Sequence, residues 1–138
     1  MTKQEILLTA TLSLVIYMAI LTWLALLAAS LIRARAWTLQ GTIIAMGNRV
    51  KLPEATPLAG RADRAARNTA EGFILFAAIA LVAHAAGATS PRVAMGAEIF
   101  FWSRVLYIPV YYAGIVYLRT LVWLASVIGL AMMISALV

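Results

Sequence analysis

Residues 6–32 carry no charged side chain, and that run exceeds the roughly 20 apolar residues a helix needs to cross a hydrocarbon core. Residues 72–91 and 120–138 form two more uncharged runs, and residues 93–118 are interrupted only by Glu98 and Arg104. This pattern predicts four membrane-spanning helices over about 4–33, 62–86, 91–117 and 120–138 within a single domain, 1–138. The first run is too long for the core of a signal peptide, so it is read as a helix. Residues 87–90 predict a tight turn, with Pro91 suited to the first turn of the third helix. Pro109 should kink that helix, because its ring clashes with the preceding turn and it has no N–H to donate. The one long connection, 35–61, holds Pro53, Pro57, Gly41, Gly47 and Gly60, and an apolar stretch, 37–46, suited to the membrane interface. A connection of this length in a small domain is usually functional or mobile.

Composition agrees with the pattern. Of 138 residues, 64% are hydrophobic and 12% charged, and the mean hydropathy is +0.97, which excludes an ordinary soluble domain. With no cysteine, disulfides and thiolate metal sites are absent. The net charge of +6 could suggest nucleic acid, but its distribution points elsewhere. Arg33, Arg35, Arg49, Lys51, Arg61, Arg64, Arg67 and Arg119 fall in or beside the connections between the first two and the last two helices. Lys3 and Arg92 fall on the other side, and Arg104 is internal. By the positive-inside rule both connections, including the long loop, are expected in the cytoplasm and both termini outside.

The polar residues that break the apolar pattern are the candidates for chemistry. Arg64, Arg67, Asn68 and Glu71 have the spacing i, i+3, i+4, i+7, which places them on one side of the second helix as it enters the bilayer. Ionisable groups at that depth usually meet a partner or a ligand. Arg104 lies at comparable depth in the third helix and is the expected ion-pair partner of Glu71. Tyr107 and Tyr111 follow Arg104 at i+3 and i+7 and extend its stripe. Arg61 fits a side chain reaching to lipid phosphate. His84 is a lone histidine and offers no metal cluster. Glu98 is read as structural, and Trp23, Trp37, Trp102 and Trp123 as packing or interface anchors. There is no phosphate-binding glycine loop, nucleophile elbow or H-E-x-x-H.

The block from Arg64 to Glu71 resembles the R-A-x-x-N-x-x-E signature that opens the second helix of MAPEG proteins, the membrane-associated proteins in eicosanoid and glutathione metabolism. Arg104 through Tyr107 and Tyr111 to Arg119 is similar to the R-x-x-[YH]-x-x-x-Y pattern and following arginine of that family's third helix. The nearer likeness is to its bacterial branch, which implies a bacterial inner membrane. The resemblance implies a homotrimer of four-helix protomers that takes glutathione as co-substrate between neighbours. Arg64, Arg67, Asn68 and Glu71 would bind the peptide, with Arg104, Tyr107 and Tyr111 from the adjoining subunit and Arg33 from the basic end of the first helix. Arg119 would stabilise the thiolate, which would attack a lipophilic electrophile arriving from the membrane lipid. The function implied is a glutathione-dependent transferase or peroxidase. Ala66 departs from members with His or Gln there, which implies one side-chain contact fewer. The alternatives are a non-catalytic lipid- or glutathione-binding scaffold of the same fold and, further off, a small exporter, which would want a carboxylate deep in its transport helices.

Overall fold

A computed structural model describes residues 2–88 and 90–138, with five helices among them: α1 (Lys3–Ala34), α2 (Leu39–Met46), α3 (Pro57–Ala85), α4 (Pro91–Ala113) and α5 (Val116–Ser135). Four of these, all but α2, are long and apolar enough to cross a membrane. Their surfaces carry Leu, Ile, Val and Trp to an extent a water-soluble bundle would not tolerate, with Trp23 63%, Ile74 68% and Leu121 64% exposed.

The helix ends follow local capping chemistry. Thr2 and Glu5 form a reciprocal capping box at the start of α1. Thr56 accepts from the Ala59 N–H ahead of Pro57, so α3 starts at Pro57, a turn and more before the expected residue 62. Ser90 accepts from the Arg92 N–H at the head of α4. Gly114, at φ 77°, ends α4 in the left-handed conformation, which stops the helix short of the expected residue 117. α5 then begins at Val116 rather than 120, so Arg119 stands in its first turn. Pro109 lies inside α4, four residues from its end. Thr89, within the turn expected over 87–90, lies outside the described residues.

The packing runs as two antiparallel hairpins joined through α4. α1 lies along α3, α5 lies along α4, and α4 also packs on both α1 and α3. The α1–α3 approach is close because Ala25 and Ala29 meet Ala62 and Ala66, small residues that let two backbones come together. At the other end of the bundle, Met18, Phe76, Phe100 and Met133 fill the centre. There the Phe76 and Phe100 rings stack at 4.6 Å. Gly96 and Gly129 face one another where α4 crosses α5: a Cβ on either would lie within 2.7 Å of the other's carbonyl oxygen.

Candidate functional site

α1 ends, α3 begins, α4 ends and α5 begins at the same end of the bundle, and this topology gathers the polar blocks. Asn68 sits about 17 Å along α3 from that end, and Arg104 about 14 Å along α4, at the usual rise of 1.5 Å per residue. The two therefore meet side by side. Arg104 Nη1 donates to Asn68 Oδ1 at 2.7 Å. Arg104 is 3% exposed, and its guanidinium carbon lies 5.4 Å from the Phe100 ring centre and 5.1 Å from that of Tyr107. Gly72, one turn beyond Asn68, makes the room: a Cβ there would stand 2.9 Å from Arg104 Nη2 and 3.1 Å from its Cζ. The Nε of Arg104 is buried without a hydrogen-bond partner, as is Thr69 Oγ1.

A cleft of ≈ 230 Å³ opens beside this pair, lined by Asn68, Tyr107, Tyr111, Arg119, Thr120 and Trp123. Tyr107 and Tyr111 meet edge to face at 5.3 Å. The Arg119 guanidinium lies 4.7 Å over the Tyr111 ring, and Arg64 Nε donates to the Tyr111 hydroxyl at 3.3 Å. Arg64, Asn68, Arg104, Tyr107, Tyr111 and Arg119 thus come together within one protomer. α4 of the same chain already lies on α3; the adjoining subunit's share of the site, expected from the resemblance, belongs to the proposed assembly.

Other expected members stand apart. Glu71 is exposed and forms no ion pair with Arg104, whose partner is Asn68 instead. The cause is angular: Asn68 and Gly72 face α4, while Glu71 lies on the outward stripe with Arg64, Arg67 and Ile74. Arg67 pairs with Asp63 at 2.8 Å, with 72% of its side chain exposed, a contact worth little at a surface. Arg33 donates to the Pro53 carbonyl. It lines a second depression, of ≈ 300 Å³, with Asp63 and Arg67. Ala66 is buried against Ala25 and Ala29, so that position faces α1 and not the cleft.

Thr120 and Trp123 were not singled out for the site; at i+1 and i+4 from Arg119 their place on one side of α5 was readable once the helix start was known. The sequence expectation for Arg61 is a side chain that reaches lipid phosphate. Its Nε instead donates to the Tyr112 carbonyl at 2.9 Å, setting a cation on the negative end of α4.

What the fold and site define is a multi-pass, all-helical bundle with a cationic, tyrosine-lined cleft towards one end of the bundle. The MAPEG family model matches residues 9–138, and the chain belongs to the MAPEG family. That family includes glutathione transferases and peroxidases as well as non-catalytic members. The family and the four apolar helices together fit an integral membrane protein. No curated protein and no solved structure matches the chain.

Proposed function

We propose that this chain is a membrane-bound, glutathione-dependent transferase or peroxidase of bacterial type, acting as a homotrimer in the inner membrane with its long loop in the cytoplasm. One observation carries the reading. Among the described residues the sole ion pair is Arg67–Asp63, so Arg119 on the cleft wall, Arg104 behind it on Asn68 and Arg64 at the Tyr111 hydroxyl bring three guanidiniums together without an ion-pair partner. A buried guanidinium with no ion-pair partner, such as Arg104, favours an anion close by. Glutathione brings two carboxylates and, once ionised, a thiolate.

Guanidiniums bind carboxylates through paired hydrogen bonds, which suits Arg64 and Arg104 to the peptide's carboxylates. Asn68 Nδ2 remains free to donate to a peptide carbonyl, since its Oδ1 is engaged by Arg104. Arg119 stands at the rim beside Trp123. A thiol of ordinary pKa about 8.5 is mostly protonated at neutral pH, and a nearby cation favours the thiolate. In transfer, the sulfur forms a bond to an electrophilic carbon as the leaving group departs with its electron pair. In peroxide reduction, the thiolate attacks one peroxide oxygen, the O–O bond breaks with the other oxygen leaving as an alkoxide that takes a proton, and a second glutathione displaces water from the resulting sulfenic acid to close the disulfide. Glu71, Arg67 and Arg33 lie outside the cleft of their own protomer. In a trimer they are placed to act on a neighbour's glutathione, with Glu71 suited to its ammonium group.

The test is titration of glutathione into purified protein while following thiolate absorbance in the ultraviolet. Wild type should develop the signal with saturation. Arg119→Ala should still bind glutathione but lose thiolate signal and conjugation of an aryl halide together, and Arg119→Lys should restore only part, because a point charge cannot copy the planar fork. Saturable binding with no thiolate in wild type would favour the non-catalytic alternative.

A further inference from the structure

Helix α2 is not needed to build the cleft, and one side of it has no partner among the described residues. Its eight residues carry no charge. Leu39, Ile43 and Met46, at i, i+4 and i+7, share one face and are 82%, 65% and 85% exposed, with Trp37 at 71% and Val50 at 86% on either side. The opposite side is fixed. Gly41 is buried, and a Cβ there would strike the Ala34 and Arg35 carbonyls, so α2 presses directly on the end of α1. Thr42 Oγ1 donates to the Ala36 carbonyl at 2.8 Å. Arg49 Nη1 donates to Ser30 Oγ at 2.6 Å, which draws the segment after α2 back to the level of the last full turn of α1. The segment is thus folded against the flank of a membrane-spanning helix and does not project away from it.

We propose that α2 is a membrane-surface anchor that seats its Leu39–Ile43–Met46 face in an anionic bilayer, with Arg35 and Lys51 holding lipid phosphates beside it. Two features select this occupant. The face continues from a membrane-spanning helix across only a four-residue turn and lies level with its end. The charge is also complementary: Arg35 and Lys51 share a depression of ≈ 320 Å³ with Thr38 and Gln40, and no carboxylate lines it. A short uncharged helix with apolar anchors and flanking cations gains both from burial at the headgroup boundary and from anionic lipid. The long connection, which contributes no side chain to the cleft, then has a role in holding the end of α1 to the bilayer surface.

The chain has no cysteine, so a single introduced thiol labels cleanly. Met46→Cys and Gln40→Cys, each carrying a nitroxide, are placed in nanodiscs of phosphatidylcholine alone or mixed with phosphatidylglycerol. The label at 46 should relax readily with oxygen dissolved in the bilayer and poorly with a water-soluble nickel chelate, while the label at 40 shows the reverse. Phosphatidylglycerol should strengthen the contrast at 46, and R35Q or K51Q should each weaken that lipid dependence by about fivefold in the seated-to-unseated ratio. Equal access of nickel chelate to both positions in both lipids would overturn the proposal, since the face would then be free in water. Protection at 46 from both oxygen and chelate would overturn it as well, because a second copy of the chain would then cover the face.

Discussion

Replacing Asn68 by alanine strands the Arg104 guanidinium, and the cost can be worked from its surroundings. Arg104 is 3% exposed, its Nε already lacks a partner, and its bond to Asn68 Oδ1 is 2.7 Å long. A hydrogen bond to a charged group contributes about 1.5–3 kcal/mol, whereas neutral bonds between membrane helices average about 0.6 kcal/mol. The flanking Phe100 and Tyr107 rings remain in Asn68→Ala and soften the loss without replacing an acceptor. Asn68→Ala should therefore destabilise the protomer by about 2–3 kcal/mol. Arg104→Met keeps the length of the side chain and removes the buried charge, so its cost should be near zero or reversed in sign. In the Arg104→Met background, Asn68→Ala should cost less than about 0.6 kcal/mol. The assay is equilibrium unfolding in mixed micelles by titration with dodecyl sulfate, followed by circular dichroism, for all four members of the cycle. A coupling of about 1.5–3 kcal/mol supports a buried, charge-assisted bond. A coupling at or below that of a neutral bond would refute the reasoning, and with it the claim that an uncompensated cation awaits an anion in the cleft.

Gly72→Ala should push the Arg104 guanidinium off Asn68: the gain in helix propensity of up to about 1 kcal/mol competes with overpacking of about 1–3 kcal/mol, and glutathione affinity measured by calorimetry should fall even where the melting temperature holds. Gly96→Ala meets backbone on α5 that cannot turn aside; it should lower stability by about 1–3 kcal/mol and reduce conjugation by moving Arg119 relative to Tyr111, and wild-type melting together with wild-type rate would show that α4 and α5 cross less closely. Glu71→Ala removes an exposed side chain with no ion-pair partner among the described residues, so protomer melting should be unchanged while glutathione affinity falls in the assembled protein; a large loss of stability would restore the Glu71–Arg104 pair. Amine cross-linking in mild detergent should stop at three copies, and a ladder that ends at one or two would sink the trimer.

The four spans were legible because a bilayer permits so few solutions: a backbone in hydrocarbon must satisfy itself, and a helix must stay apolar long enough to cross. Their ends were not, because short-range polar contacts set them. The expected start of the second helix waited for the apolar run to settle, whereas Thr56 and Pro57 had already capped and begun α3 outside it. The expected end of the third helix followed hydrophobicity through Ile115 and Val116, although Gly114 takes a left-handed conformation that closes the helix there. α2 was visible only as an apolar stretch, too short for a span and too brief for its period to decide between helix and strand.

The site divides in the same way. Periodicity gives the level of a side chain along its helix, and by level Arg104 could serve Glu71 as well as Asn68. What decides is which way α3 is turned, and that is set by residues with no chemistry of their own. Ala65, Thr69, Gly72 and Phe76 lie on the buried stripe of α3, and Gly72 leaves room there for the Arg104 guanidinium. Asn68 borders this stripe and takes the bond; Glu71 falls on the outer side and does not. The polar block read from the sequence is therefore not one surface but two, Asn68 turned towards the cleft of its own chain and Glu71 with Arg67 turned outward. Arg64 already reaches from the outward stripe to the Tyr111 hydroxyl of its own chain, and on the proposed reading a neighbouring protomer takes up Glu71 and Arg67. On the proposed reading assembly and substrate binding are coupled, and variants of the outward stripe and of the cleft should lose glutathione affinity by separate routes.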